Sequence, residues 1–328
     1  MNKFIYLAAT AATLLAVACN KQNPSERLSD RTFSESSGTG TLEIQLNQTM
    51  TKAVDLQDTE KAINKFIVCI FCNDTGKLEM EPYEVSPQTS VSTITLDKIP
   101  FGNKTVAMAV NYSERPNTES FEKFMKSVSD LKDNSASNLV MTAYNENVSI
   151  AGGENKITMT LKRIAAKIHV GKIKAAYSSD SKLNNPTVFI NGVYIGNAAK
   201  TASLAGKFAG NLYNQYTPSE NFTVDPAVET ITAANGFELS LSTSFQNIDK
   251  YLYTYPYSDS ETPSYLIIGA FFNGVQRYYR YTLPEIKSNT LYNIEEITVT
   301  GAPDSSALEI TISVGNWDED NSMQQISL

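Results

Sequence analysis

Histidine occurs once in the 328 residues, tryptophan once and cysteine three times. Acid–base and nucleophilic sites most often recruit histidine, and His169 has no evident partner in the sequence, so neither an enzyme nor a cofactor is expected. Basic residues are also scarce, with 27 Lys and Arg against 35 Asp and Glu and a net charge of −8. A phosphate-binding protein needs a basic face, which excludes nucleic acid as a partner. No apolar run reaches the length of about 20 residues that a membrane-spanning helix requires. Cys69 and Cys72 are spaced as C-x-x-C, but they lie in the apolar strand Phe66-Ile-Val-Cys-Ile-Phe-Cys72. Residues three apart on a strand point to opposite faces, so a redox or metal pair is disfavoured and packing is expected. A tetrahedral zinc site would need ligands that the single histidine does not supply.

What the chain does have begins at its first residues. Lys3, an apolar run from Phe4 to Val17 and the small Ala18 read in order as a secretory signal over residues 1–18. Leu15-Ala16-Val17-Ala18-Cys19 resembles the lipobox of bacterial lipoproteins, in which the cysteine is acylated after cleavage; Ala16 departs from the usual larger aliphatic residue. Lipid chains on Cys19 would hold the precursor on a membrane, at about 0.8 kcal/mol per buried methylene. By the same resemblance, Asn20 directs it to the outer membrane and the cell surface. Residues 20 to 40, with Pro24, several serines, Gly38 and Gly40, read as a tether. About 310 residues then remain, enough for two domains of ordinary size.

Alternation predicts a half-buried strand at Thr41 to Thr49, with Leu42, Ile44 and Leu46 inward. Phe66 to Cys72 and Thr105 to Asn111 follow as strands, the second entered through the turn Ile99-Pro-Phe-Gly102. Ser120 caps a helix whose buried face carries Phe121, Phe124, Met125, Val128 and Leu131. Gly152-Gly153 reads as a hairpin turn between Val148 and Ile157 to Leu161, since no Gly-Lys-Ser/Thr follows to make a phosphate loop. Ile164, Ala166, Ile168 and Val170 alternate with Ala165, Lys167 and His169, placing the last set on a more polar face. Asn191-Gly192 and Asn273-Gly274 each predict a type I′ hairpin. Strands are further expected at Glu238 to Ser242, Tyr292 to Val299 and Leu308 to Val314. The whole is mainly β, in two β-rich parts divided near Arg163 to Lys167.

Four features taken together resemble the fimbrillin family of Bacteroidales, the subunits of type V pili. They are the lipobox, the mid-chain Lys162-Arg-Ile-Ala-Ala-Lys-Ile168, the run Leu291-Tyr-Asn-Ile-Glu-Glu-Ile-Thr-Val-Thr-Gly301 after Tyr253-Thr-Tyr-Pro-Tyr257, and the closing Ile310-Thr-Ile-Ser-Val-Gly-Asn-Trp317. The resemblance implies two transthyretin-like β-sandwich domains in tandem, 53–163 and 164–328, with one short helix in the first. It also implies a lipidated tether and removable strand over 19–52. A surface protease would cut after Lys52, before Ala53, and release the strand bearing Leu42, Ile44 and Leu46. Arg27 and Arg31 would be cut too early to free it. The vacated groove would then take a C-terminal strand of another fimbrillin subunit, for which Leu308, Ile310, Ile312, Val314, Met323, Ile326 and Leu328 are the apolar candidates.

Other readings stay open. The alternative reading of Lys52 is an ordinary exposed lysine in a loop. A glycan-binding surface lipoprotein is suggested by Tyr251, Tyr253, Tyr255 and Tyr257 with Tyr278, Tyr279 and Tyr281, although cross-strand packing explains such rows. An anchor subunit that keeps its lipid is a further option, and a host glycan or protein is a possible partner. Asp318, Asp320 and Ser322 imitate the start of a calcium loop, but the glycine and distal glutamate of an EF-hand are missing, so a solvated acidic turn is expected.

Overall fold

The computed structural model describes residues 38–47, 58–87, 91–177, 186–216, 222–303, 308–317 and 324–326. The first half contributes β1 (Thr39–Asn47), β2 (Phe66–Cys72), β3 (Tyr83–Val85), β4 (Thr93–Pro100), β5 (Gly102–Val110), β6 (Val128–Asp130), β7 (Met141–Ile150), β8 (Glu154–Thr160) and β9 (Lys162–Arg163), with helix α1 (Phe121–Lys126). The second contributes β10 (Ala166–Ala175), β11 (Val188–Gly196), β12 (Ala198–Ala199), β13 (Thr201–Ser203), β14 (Leu212–Tyr213), β15 (Ala233–Ser240), β16 (Gln246–Thr254), β17 (Tyr265–Phe272), β18 (Val275–Thr282), β19 (Thr290–Val299), β20 (Leu308–Asn316) and β21 (Gln324–Ile326), with the one-turn helix α2 (Glu229–Thr232). A three-stranded sheet, β4-β1-β8, faces the five-stranded sheet β3-β2-β5-β7-β9. In the second half β16-β10-β19-β20-β21 is paired with β15-β11-β17-β18.

The unbroken apolar run of β2 has a direct cause: every one of its residues is buried, because both its faces are covered. Phe66, Val68 and Ile70 pack toward the three-stranded sheet. Ile67, Cys69 and Phe71 pack on the other side, where the Phe71 ring meets Phe124 of α1 edge-on at 6.0 Å. Ser120 caps α1 as expected, accepting from the Lys123 amide at 3.2 Å. The helix is shorter than its apolar spacing predicts. It ends at Lys126, Val128 enters β6, and Leu131 starts a 3-10 turn, because β6 pairs with β13 of the second half. Tertiary strand pairing outcompetes one more helical turn.

Three other expectations need correction. Gly152-Gly153 does join two strands, but β7 and β8 go to opposite sheets, so the turn is a corner of the sandwich and not a hairpin. Asn273-Gly274 forms the predicted hairpin, with φ of 49° and 81°. Asn191-Gly192 does not: it lies within the continuous strand β11, where pairing with both β15 and β17 shifts register between Ile190 and Gly192. With strands on both sides the chain cannot fold back, and the dipeptide is absorbed as a bulge. Lys167 was expected on a polar face with His169, yet its side chain is wholly buried.

Candidate strand-binding site

The strand β1 occupies the middle of its sheet. It runs antiparallel to β4, with Leu42 opposite Leu96 and Ile44 opposite Ile94. It runs parallel to β8, with Ile44 beside Ile157 and Leu46 beside Met159. Leu42 and Ile44 are fully buried and Leu46 is 8% exposed. Together they fill the floor made by Phe66, Val68, Ile70, Val106 and Met108. Each contributes about 2 kcal/mol by leaving water. On the outer face Glu43 pairs with Lys156 at 3.4 Å, and the Thr41 hydroxyl donates to Asp97 at 2.9 Å. Hydrogen bonding from Gln45, then the charge of Lys156, holds the Glu43 carboxyl below the usual range. Withdrawing β1 would leave β4 and β8 separated by two strand spacings, a slot about 10 Å wide.

One end of this slot is narrow. A Cβ at Gly40 would lie 2.3 Å from the Ala151 carbonyl oxygen and 2.9 Å from Asn155 Nδ2, so only glycine fits there. At the other end β1 stops at Asn47, and segment 48–57 leads in sequence to the 3-10 turn Asp58–Lys61. Lys52 and Ala53 lie in that segment, outside the described residues, as do Cys19, Arg27, Arg31, Asp318, Asp320, Ser322, Met323 and Leu328.

At the other end of the chain, Leu308, Ile310, Ile312 and Val314 lie on β20, which is bonded to β19 on one side and β21 on the other. Ile312 is fully buried in the core. β21 is the outermost strand of its sheet, paired only through Ile326, Gln325 and Gln324 with Ile312, Ser313 and Val314. Among the described donor candidates, Ile326 on β21 therefore lies at a sheet edge, whereas those on β20 do not.

Between these ends sits a buried ionic cluster that the sequence does not announce. Glu60, in the turn that follows segment 48–57, accepts from Lys167 Nζ at 2.8 and 3.0 Å and from the Tyr253 hydroxyl. Arg163 donates to the Glu60 carbonyl at 3.2 Å and stands 4.6 Å over the Trp317 ring. Trp317 stacks on Tyr253, with ring centres 5.8 Å apart, and is the last described residue before the tail. Burial, then the Glu60 charge, pushes the Tyr253 hydroxyl upward, so it stays a donor. Asn289 adds a backbone knot, with its side chain accepting from the Arg163 amide at 3.0 Å and its carbonyl from the Trp317 amide at 3.0 Å. The Arg-Ile-Ala-Ala-Lys segment thus supplies two cations flanking alanines that are themselves fully buried. Glu60 was missed because nothing in Asp-Thr-Glu-Lys distinguishes it from a surface turn.

The remaining candidate residues have structural roles. Cys69 is free and not bridged to Cys72, and burial pushes its thiol pKa up to about 12. Tyr253, Tyr255, Tyr257 and Tyr279 are buried, which removes them as sugar platforms. Tyr255 instead reaches across the halves, donating to Ser129 and accepting from Asn134, both at 2.7 Å. His169 lies between Asn293 Oδ1 at 2.6 Å and Asp249 Oδ1 at 3.0 Å and stacks on Tyr251. Among the described residues no group of three or more His, Cys, Asp or Glu is placed to hold a metal ion, and no helix is long and apolar enough to cross a membrane.

No family model matches the sequence, and no curated protein matches it. Solved structures do resemble the fold. A fimbrilin from Porphyromonas gingivalis W83 superposes with a TM-score of 0.64 at 14% identity, over 85% of this chain and 98% of that one. A putative cell adhesion protein from Bacteroides eggerthii DSM 20697 gives 0.60 at 19% identity, over 86% and 97%. A third, a putative cell adhesion protein from Parabacteroides distasonis ATCC 8503, gives 0.60 at 15% identity, with the same coverage. The chain therefore has the β-sandwich fold of the fimbrilin and cell adhesion proteins it is similar to, in keeping with the fimbrillin resemblance of its sequence motifs.

Proposed function

We propose that this chain is a structural subunit of a cell-surface fimbria, exported as a lipoprotein through Cys19 and polymerised when a protease cuts after Lys52 and releases β1. The observation that carries the proposal is the placement of β1. It is central in its sheet, seals an apolar floor with Leu42, Ile44 and Leu46, and is followed by segment 48–57, in which a cut would detach it from the strands that come after. Removing a central strand exposes two rows of backbone donors and acceptors and an apolar floor, which a strand from another subunit satisfies better than water does. On this reading residues 53–163 and 164–328 act as acceptor and donor domains, the partners are other fimbrillin subunits, and catalysis has no part.

Limited digestion of the purified precursor with a trypsin-like protease tests this. N-terminal sequencing should find Ala53, and an unboiled gel should show a ladder that is absent before cleavage. A strictly monomeric product with β1 lost would sink the proposal. The N-terminus of protein extracted from the cell surface separates the stalk role from an anchor role: Ala53 fits a polymerising subunit, and acylated Cys19 an anchor.

A further inference from the structure

We infer that a cleft in the first half of the chain, walled by Phe121 and Tyr144 on one side and by a bulge of β7 on the other, binds an uncharged sugar ring of a glycan. The inference does not depend on strand exchange, and a chain that binds the sugar without polymerising leaves it standing.

The cleft has a volume of about 730 Å³, within the range of small-ligand sites. Its apolar wall grows out of the core. Phe121, the first residue of α1, leans on the buried Phe71 with ring centres 6.0 Å apart, and Tyr144 of β7 leans on Phe121 at 5.6 Å. Tyr144 is 52% exposed, more than any other large apolar side chain among the described residues. The polar wall comes from a break in register between β5 and β7. Lys104 stands opposite Val148 but Val106 opposite Asn145, so Glu146 and Asn147 together face Thr105. Such a bulge re-aims the side chains of the longer strand, and here Asn145, Glu146 and Asn147 all line the cleft. Asn73 clamps it: Nδ2 donates to the Glu146 carbonyl and Oδ1 accepts from the Thr105 hydroxyl, both at 2.8 Å. The Phe121 amide donates to the Gly76 carbonyl at 3.1 Å, which ties down the aromatic wall as well. Both walls are therefore in place before a ligand arrives, which lowers the cost of binding.

The chemistry of the two walls selects the ligand. A pyranose ring presents a face of C–H groups and a rim of hydroxyls that both donate and accept. The face matches the bare Tyr144 ring. The rim matches the side-chain amides of Asn145 and Asn147, which also do both, and the Glu146 carboxylate, which accepts. Asn145 Oδ1 is already engaged by the Asn147 amide at 3.0 Å, leaving Nδ2 for a hydroxyl. Among the described residues no lysine or arginine lines the cleft, so a phosphate, sulfate or carboxylate would find no counter-charge and would be repelled by Glu146. A wholly apolar ligand would strip water from the amides without replacing it. An uncharged sugar satisfies both walls.

The full chain is screened on an array of neutral, sialylated and sulfated oligosaccharides of host and bacterial type, and the strongest neutral binder is titrated by calorimetry. Retention of neutral oligosaccharides is expected, and either type supports the site while naming the source of the sugar. Tyr144→Ala should weaken binding about tenfold or more and Asn147→Ala about three- to tenfold, whereas Tyr144→Phe should stay within about twofold of the parent. Tyr83→Ala removes a ring of comparable exposure outside the cleft and should change nothing. The truncated side chains of Tyr144 and Asn147 are exposed, so urea midpoints should match the parent; if Tyr144→Ala does not fold, Asn147→Ala alone decides. An array that retains no neutral oligosaccharide, a preference for sialylated or sulfated ones, or an affinity unmoved by Tyr144→Ala and Asn147→Ala would overturn the inference. A loss in Tyr83→Ala equal to that in Tyr144→Ala would overturn it too, as adhesion to any bare ring.

Discussion

The two ends of the described chain are both β-strands, and they are held in opposite ways. β1 has a neighbour on each side and buries three aliphatic side chains, whereas β21 has one neighbour and three paired residues. Removal of the first opens a core; removal of the second uncovers one edge. A polymer built by exchanging strands needs this asymmetry, because the acceptor must be costly to leave empty and the donor cheap to detach.

The strongest way to break the comparison is Ile44→Asp, which puts an unpaired carboxylate in a dry sheet pair. Urea unfolding of the precursor should show a loss of about 4 kcal/mol or more. A change below 1 kcal/mol would mean that β1 is not sealed as described. Next is Lys167→Met, which strands Glu60 without its ion pair and should cost about 3 to 5 kcal/mol. The double change with Glu60→Leu should regain much of it, measured in the same unfolding experiment. Third, deleting residues 318 to 328 takes away the edge strand β21 and should cost about 1 to 2 kcal/mol, the value of a few exposed backbone hydrogen bonds. A loss as large as that of Ile44→Asp would erase the contrast between the ends.

The smallest effect concerns pH. The Glu43 carboxyl is held below its ordinary value in the folded chain, so whatever it contributes is present above the unfolded carboxylate range, about pH 4.3. That contribution disappears as pH falls through the lowered folded value. In chain cleaved after Lys52, release of β1 followed by size-exclusion chromatography should be slightly faster at pH 3 than at pH 6. Glu43→Gln should abolish the difference.

Much of the fold was legible because period-two alternation is local. Leu42, Ile44 and Leu46 declared their face, and Asn273-Gly274 its turn, from a few residues each. Asn191-Gly192 carries the same turn signal but lies between two partner strands, and no local rule distinguishes the two cases. The apolar spacing from Phe121 to Leu131 was read as one helix, yet Val128 belongs to a strand pair formed with residues some seventy positions away. The tyrosine rows left both cross-strand packing and a sugar-binding face open, and burial of Tyr253, Tyr255, Tyr257 and Tyr279 favours packing, since aromatic alternation alone does not say which face is covered. Glu60 was invisible because its role depends on Lys167 and Tyr253, more than a hundred residues distant.

By itself the sequence determined that the chain is mainly β, which side chains of β1 face inward, and that the last residues alternate weakly. Those properties follow from side-chain period and hydrophobicity, which act residue by residue. Only the tertiary structure decided that β1 is central and β21 peripheral, that a buried glutamate ties the segment after the first strand to the tryptophan before the tail, and that Gly40 closes one end of the groove. Each of these depends on which distant segments meet, and therefore on packing and backbone approach that no local pattern encodes.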